Sequence, residues 1–147
     1  MDASQQMHDW LAKGKIVVSD RYVTANAGHQ GGKIADPIER LKFFKWLNNL
    51  EYNIFGIPKP DLNIILHVSA KVGQTRTLKL SKKKDLHDTD LKHLKDAEKV
   101  YLEISQLFPN TRLIECAEGN KMLTPKEIHN QIWEYVRRIA LKDFPLQ

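Results

Sequence analysis

The sequence predicts an α/β fold with a largely parallel sheet, on three observations. Short aliphatic runs alternate with stretches of helical periodicity, the pattern of strands linked by crossover helices. Two of the helical stretches open on capping signals, Asp36-Pro37-Ile38-Glu39 and Thr124-Pro125-Lys126-Glu127. The chain has 147 residues, 41% hydrophobic and 28% charged, which suits one globular domain spanning 1–147.

Taken in order, Met7, Trp10 and Leu11 before Gly14 predict an opening helix, and Ile16-Val17-Val18 a first strand. Behind the Asp36 cap, Leu41, Phe44, Leu47 and Tyr52 recur at near-helical spacing until Gly56 and Pro58 stop the helix. Leu62 to Val68 reads as a strand. Lys71 to Lys84 is the loosest stretch, basic and rich in Thr and Ser, and it ends in Lys82-Lys83-Lys84. A helix from about Thr89 to Leu107 carries Leu91, Leu94, Ala97, Tyr101, Ile104 and Phe108 on one face. Leu113-Ile114 with its flanks gives a further strand. Ile128, Ile132, Tyr135, Val136 and Ile139 form the apolar stripe of the last helix.

Composition narrows the function. The 23 Lys and Arg against 18 Asp and Glu leave +5, a mild excess compatible with anionic ligands. One cysteine, Cys116, excludes a disulfide framework and a multi-cysteine zinc site, and at a strand end it reads as a packed residue. No apolar run reaches the ~18–20 residues of a membrane span, and the N-terminus has no signal-peptide profile, so a cytoplasmic protein without a membrane partner is expected. The Lys82–Lys84 run comes without a recognition motif, so nucleic acid is not an expected partner. His87, Asp88, Asp90 and His93 do not have zinc spacing, and Asp88 suits a helix N-cap. Trp10, Trp46 and Trp133 read as core or interface, and His67 as an ordinary sheet residue.

Ligands of open α/β sheets gather outside the carboxyl ends of the strands. There the first strand runs into Ser19-Asp20-Arg21-Tyr22 and then a stretch with three glycines and Asn26, His29 and Gln30. An acid and an arginine at that place can hold a metal ion and a phosphate, or can simply pair with neighbours at the sheet edge.

Asp20-Arg21-Tyr22-Val23-Thr24-Ala25-Asn26-Ala27-Gly28-His29-Gln30-Gly31 closely resembles the Asp-Arg-aromatic signature of thymidylate kinases. Gly56-Ile57-Pro58-Lys59-Pro60-Asp61-Leu62 is similar to that family's entry to its next strand, and Asp85 to Asp90 to the end of its lid. The matches come in family order, and the resemblance runs from Met1 to about Ile139. It implies a P-loop nucleoside-monophosphate-kinase-like parallel sheet with flanking helices. It also implies transfer of the γ-phosphoryl group of ATP to dTMP, giving dTDP, with Mg²⁺. Arg21 would grip the monophosphate, and Asp20 would sit beside the magnesium ion through water. Asn26 would face the thymine, with Tyr22, His29, Gln30 and Asp88 in the same substrate site. Here Ala25 replaces the family's usual serine and His29 its aromatic. Residues 71–88 correspond to the lid, where Arg76, with Lys79, Lys82, Lys83 and Lys84, would supply positive charge to the transferring group, making Arg76 catalytic beside Asp20 and Arg21. The resemblance allows a homodimer.

No Gly-x-x-x-x-Gly-Lys-[Ser/Thr] phosphate loop occurs in these residues. The expectation is therefore an incomplete fold, with the first strands and the phosphate loop missing, from a reading frame that begins at an internal methionine. The strand before Asp20 and the strand after Asp61 would then flank an unfilled position and leave bare edges. The alternative function is a non-catalytic module that binds nucleoside monophosphates or associates with a subunit.

Overall fold

The computed structural model describes residues 3–80 and 88–141, the side chains of 3, 78–80 and 88–90 excepted. The chain divides into two compact units, Met1–Asp61 and Leu62–Gln147.

The first unit is helical. Helix α1 (Ala3–Ala12) matches the expected opening helix, and Gly14 follows it at φ +71, a left-handed turn that glycine enters without a Cβ clash. The expected strand at Ile16-Val17-Val18 does not form. Among the described residues no strand pairs with it, and Ile16 and Val18 are 58% and 90% exposed. Aliphatic β-branched residues favour a strand only where a neighbour completes the ladder and covers them.

The glycine-bearing stretch after Tyr22, to which the sequence assigned no element, forms helix α2 over Val23–Gly31. Its glycines obscured it, because Gly lowers intrinsic helix propensity. Packing recovers the cost: Ala27, Gly28 and Gly31 make a buried face of small residues, and α2 packs against α3 (Pro37–Asn49). The Asp36 carboxylate caps α3, accepting from the Ile38 and Glu39 N–H groups at 2.7 and 3.4 Å. Phe44 and Leu47 are its buried apolar residues, and the buried Arg40 guanidinium donates back to the carbonyls of Ile34 and Ala35. Beyond Asn49 the helix widens into a π-helical turn, Leu50–Ile54, which buries Tyr52 before Gly56 turns the chain at φ +66.

The second unit holds the parallel pair. Strand β1 (Asn63–His67) lies beside β2 (Thr111–Glu115), in a register that sets Ile65 against Leu113 and His67 against Glu115. The segment that read as loose is instead helix α4 (Ala70–Leu80). Ala70 and Val72 are buried, and Thr75 and Thr77 donate their hydroxyls to the carbonyls of Lys71 and Gly73 within the helix. Helix α5 (Asp88–Leu107) follows the expected bounds, with Val100, Ile104 and Phe108 in the core. A short antiparallel hairpin, β3 (Ala117–Glu118) and β4 (Lys121–Met122), turns at Gly119 and leads to α6 (Pro125–Ile139). Here the capping box is complete. The Thr124 N–H donates to Glu127 Oε2 at 2.7 Å, and the Glu127 N–H to Thr124 Oγ1 at 3.3 Å. The expected stripe of α6 is half-buried. Trp46 and Trp133, expected in core or interface, are 56% and 43% exposed, while Cys116 is buried as expected. None of the described helices is long and apolar enough to cross a membrane.

Two glycines should respond oppositely to alanine. At Gly31 a new Cβ would lie 2.6 Å from Phe44 Cε1 and 2.9 Å from Cζ, and Phe44 is only 3% exposed and cannot swing aside. The overpacking cost, about 1–3 kcal/mol, exceeds the gain of about 1 kcal/mol in helix propensity. At Gly73, inside α4, the nearest atom is Val68 Cγ1 at 4.0 Å. Urea denaturation should find Gly31→Ala destabilised and Gly73→Ala stabilised by about 0.5–1 kcal/mol.

Candidate functional site

The Asp20–Gly31 segment shapes an exposed polar face in the first unit. Asp20 and Arg21 lie in the turn that enters α2, both exposed, and Arg21 takes φ +71. A non-glycine residue there carries strain of the kind that collects at functional positions. The Ser19 hydroxyl donates to the Arg21 carbonyl at 2.8 Å and holds the turn. Helix α2 begins two residues later, and Tyr22 at its N-cap gives no side-chain cap. Arg21 therefore stands at the positive end of a helix, where its guanidinium and the backbone dipole both favour an anion.

Along α2, Asn26, His29 and Gln30 are exposed, while Val23, Ala27, Gly28 and Gly31 are buried. Spacings of three and four residues bring the exposed three onto one face. That face offers two amides and an imidazole, all able to donate and accept. Gln30 Oε1 accepts from the Lys33 ammonium at 3.1 Å.

Tyr22 plays a different part. It is half-buried, and its hydroxyl donates to the Pro58 carbonyl at 2.9 Å. This bond ties Asp20-Arg21-Tyr22 to Pro58-Lys59-Pro60, two segments that sequence inspection singled out separately. Burial, then the Glu51 carboxylate, raises the Tyr22 pKa. Burial, Tyr22 and Glu51 push Tyr52 up to about 12. Both phenols therefore stay neutral at physiological pH, and Tyr22 acts as a fixed donor rather than a proton-transfer group. The Lys59 ammonium lies 6.0 Å from the centre of the Tyr52 ring, and His8 Nε2 lies 2.8 Å from the Gly56 carbonyl oxygen. These contacts fasten the Gly56–Asp61 loop beside the site.

The residues expected in a lid fall in the second unit. Arg76 is exposed on α4. Lys79 lies on the same helix and Asp88 opens α5, but their side chains fall outside the described ones, and Lys82, Lys83 and Lys84 lie outside the described residues. Among the described residues no three His, Cys, Asp or Glu converge as a metal site. One exposed carboxylate, Asp20, is nonetheless the donor set a magnesium ion takes when phosphates and waters supply the rest.

Sequence reasoning missed a cluster in the second unit. His67 Nδ1 lies 2.7 Å from Glu115 Oε2, and its Nε2 lies 2.9 Å from Glu98 Oε1. The residues are too far apart in sequence for a spacing motif. Strand pairing was the available signal, because the register places His67 opposite Glu115. Cys116 is a different case: burial, and then Glu115, raises its pKa and keeps the thiol protonated.

A family model described as thymidylate kinase matches residues 2–132. A probable thymidylate kinase of Thermococcus onnurineus (strain NA1) is 30% identical over 132 residues, covering 90% of this chain and 57% of that protein. One of Thermococcus kodakarensis (strain ATCC BAA-918 / JCM 12380 / KOD1) is 28% identical over 122 residues, 83% of this chain and 52% of that protein. The chain thus spans about half the length of these curated relatives. No solved structure matches it significantly.

Proposed function

Because the chain belongs to the thymidylate kinase family, we propose that its first unit forms the acceptor site for dTMP, the substrate of the family's ATP-dependent phosphoryl transfer. The observation that carries this reading is the exposed row of Asn26, His29 and Gln30 on a helix that begins two residues beyond Arg21. Arg21 binds the monophosphate, whose charge the guanidinium fork and helix end both favour. Asn26 faces the pyrimidine edge, His29 and Gln30 line the deoxyribose side, and Tyr22 fixes the turn through Pro58.

By the same family resemblance, residues 71–88 correspond to the lid, with Arg76 supplying positive charge to the transferring group. A bound magnesium ion would neutralise phosphate charge there, and Asp20 would orient its water shell. The products would be dTDP and ADP.

Base choice tests the site. Thymine N3–H donates to the Asn26 amide oxygen, whereas cytosine N3 can only accept. Calorimetric titration of the chain should find dTMP and dUMP bound well ahead of dCMP. Asn26→Asp keeps an acceptor and should retain more of that preference than Asn26→Leu, which keeps none. An Asn26→Leu chain with an unchanged ranking removes Asn26 from the site.

A further inference from the structure

The His67 cluster stands at the carboxyl end of the parallel pair, where α4 begins. His67 closes β1, and its side chain is 15% exposed. Glu98 reaches it from α5 and Glu115 from β2, at 2.9 and 2.7 Å. A neutral imidazole has one N–H, so it can satisfy only one of two carboxylates and sets a lone pair against the other. Only the doubly protonated ring donates to both. The second oxygen of Glu98 accepts the Ala70 N–H, at the first residue of α4, at 2.8 Å. One carboxylate thus joins the imidazole to the start of the helix that carries Arg76.

We infer that His67 is held as an imidazolium between Glu98 and Glu115 and serves as a proton-dependent tie that sets where α4 begins. The groups acting on the ring are Glu115 from β2 and Glu98 from α5. Lys95, also on α5, acts on Glu98, and α4 contributes the Ala70 N–H. Burial works against the charged ring, but the bonds to Glu115 and Glu98 outweigh it and raise the His67 pKa above 6.5. Burial likewise disfavours the Glu98 carboxylate, and the bonds from Ala70 and His67 outweigh it and lower its pKa below 4.5.

The signs give a window. A raised histidine contributes fully below its unfolded pKa and loses its effect as pH rises through the folded one. A lowered carboxylate contributes above its unfolded pKa and loses its effect as pH falls through the folded one. The tie is complete between about pH 4.5 and 6.5, the ordinary values of the two groups, and loosens as pH rises through the raised His67 midpoint.

The tie itself follows from contacts within the second unit. Its consequence for lid position rests on the reading of α4 given above. ¹⁵N imidazole NMR of the chain should show both His67 ring nitrogens protonated at pH 6, with a midpoint above that of a free histidine peptide. Hydrogen exchange at the Ala70 amide, corrected for intrinsic rate, should be slower at pH 6 than at pH 9. The expected ratio is about tenfold for each pH unit by which docking raises the midpoint. His67→Gln should abolish this pH dependence. Glu98→Gln, which keeps an acceptor for Ala70, should lower the His67 midpoint. The wild-type titration decides even where a variant fails to fold. A midpoint at or below the free value, or Ala70 protection with the same pH dependence in His67→Gln, overturns the tie. Neither result bears on dTMP binding, which is read separately on Asn26 and Arg21.

Discussion

Assayed by themselves, these 147 residues should bind dTMP but phosphorylate it at no measurable rate. Phosphoryl transfer leaves little covalent work to the protein, and catalysis is almost entirely positioning and charge stabilisation of the donor phosphates. A glycine-rich loop does this by aiming free backbone N–H groups from a strand end into the start of a helix. The nearest glycine cluster here does the reverse. Gly31 ends α2, and Gly32, Lys33 and Ile34 donate their N–H groups back to the carbonyls of Gly28, Gln30 and Gly31. Those donors are consumed in closing a helix, so Gly31-Gly32-Lys33 cannot cradle phosphates. The charge proposed for Arg76 on α4 would not by itself place ATP. A coupled assay for ADP should therefore stay at background. Turnover near ~1–100 s⁻¹, ordinary for kinases, would mean that other groups hold the donor.

What the sequence revealed divides along local and non-local physics. Helices α1, α3, α5 and α6 were legible because their caps and apolar stripes are local signals, and Asp36 and Thr124 do cap as their chemistry requires. Helix α2 was not, because its stability comes from close approach to Phe44 and not from propensity. For α4, Lys, Thr and Ser suggested a loop, while Ala70 and Val72 anchor a helix on one side. Ile16–Val18 failed for the opposite reason: the residues suit a strand, but a strand needs a partner. At the candidate site, the residue types of Asp20, Arg21 and Asn26 were readable from their motif. That Asn26, His29 and Gln30 share a face was not, since it depends on α2 being helical. The Tyr22–Pro58 bond and the His67 cluster join residues distant in sequence, and only the folded chain displays them.

Arg21→Ala should cost roughly 10- to 150-fold in dTMP affinity, the equivalent of about 1.5–3 kcal/mol for a hydrogen bond to a charged group. Arg21→Lys should recover the charge and only part of the affinity, because an ammonium is a point charge and cannot present two parallel donors to one phosphate. Folding must be separated from binding, and the backbone offers the means. At φ +71 any side chain is strained, on the order of 1–2 kcal/mol, and glycine is not. Arg21→Gly should therefore hold or raise the thermal midpoint while losing dTMP as severely as alanine does. Arg21 is exposed, so neither substitution opens a cavity, and the Ser19 hydroxyl can still donate to the carbonyl at position 21. A structural role predicts the other pattern, with affinity falling only when the midpoint falls. Calorimetry with dTMP and thermal melts of the three variants discriminate the two. If Arg21→Gly melts at or above the parent temperature and still binds dTMP at parental strength, the monophosphate is held elsewhere and Asp20-Arg21-Tyr22 is a turn without a ligand.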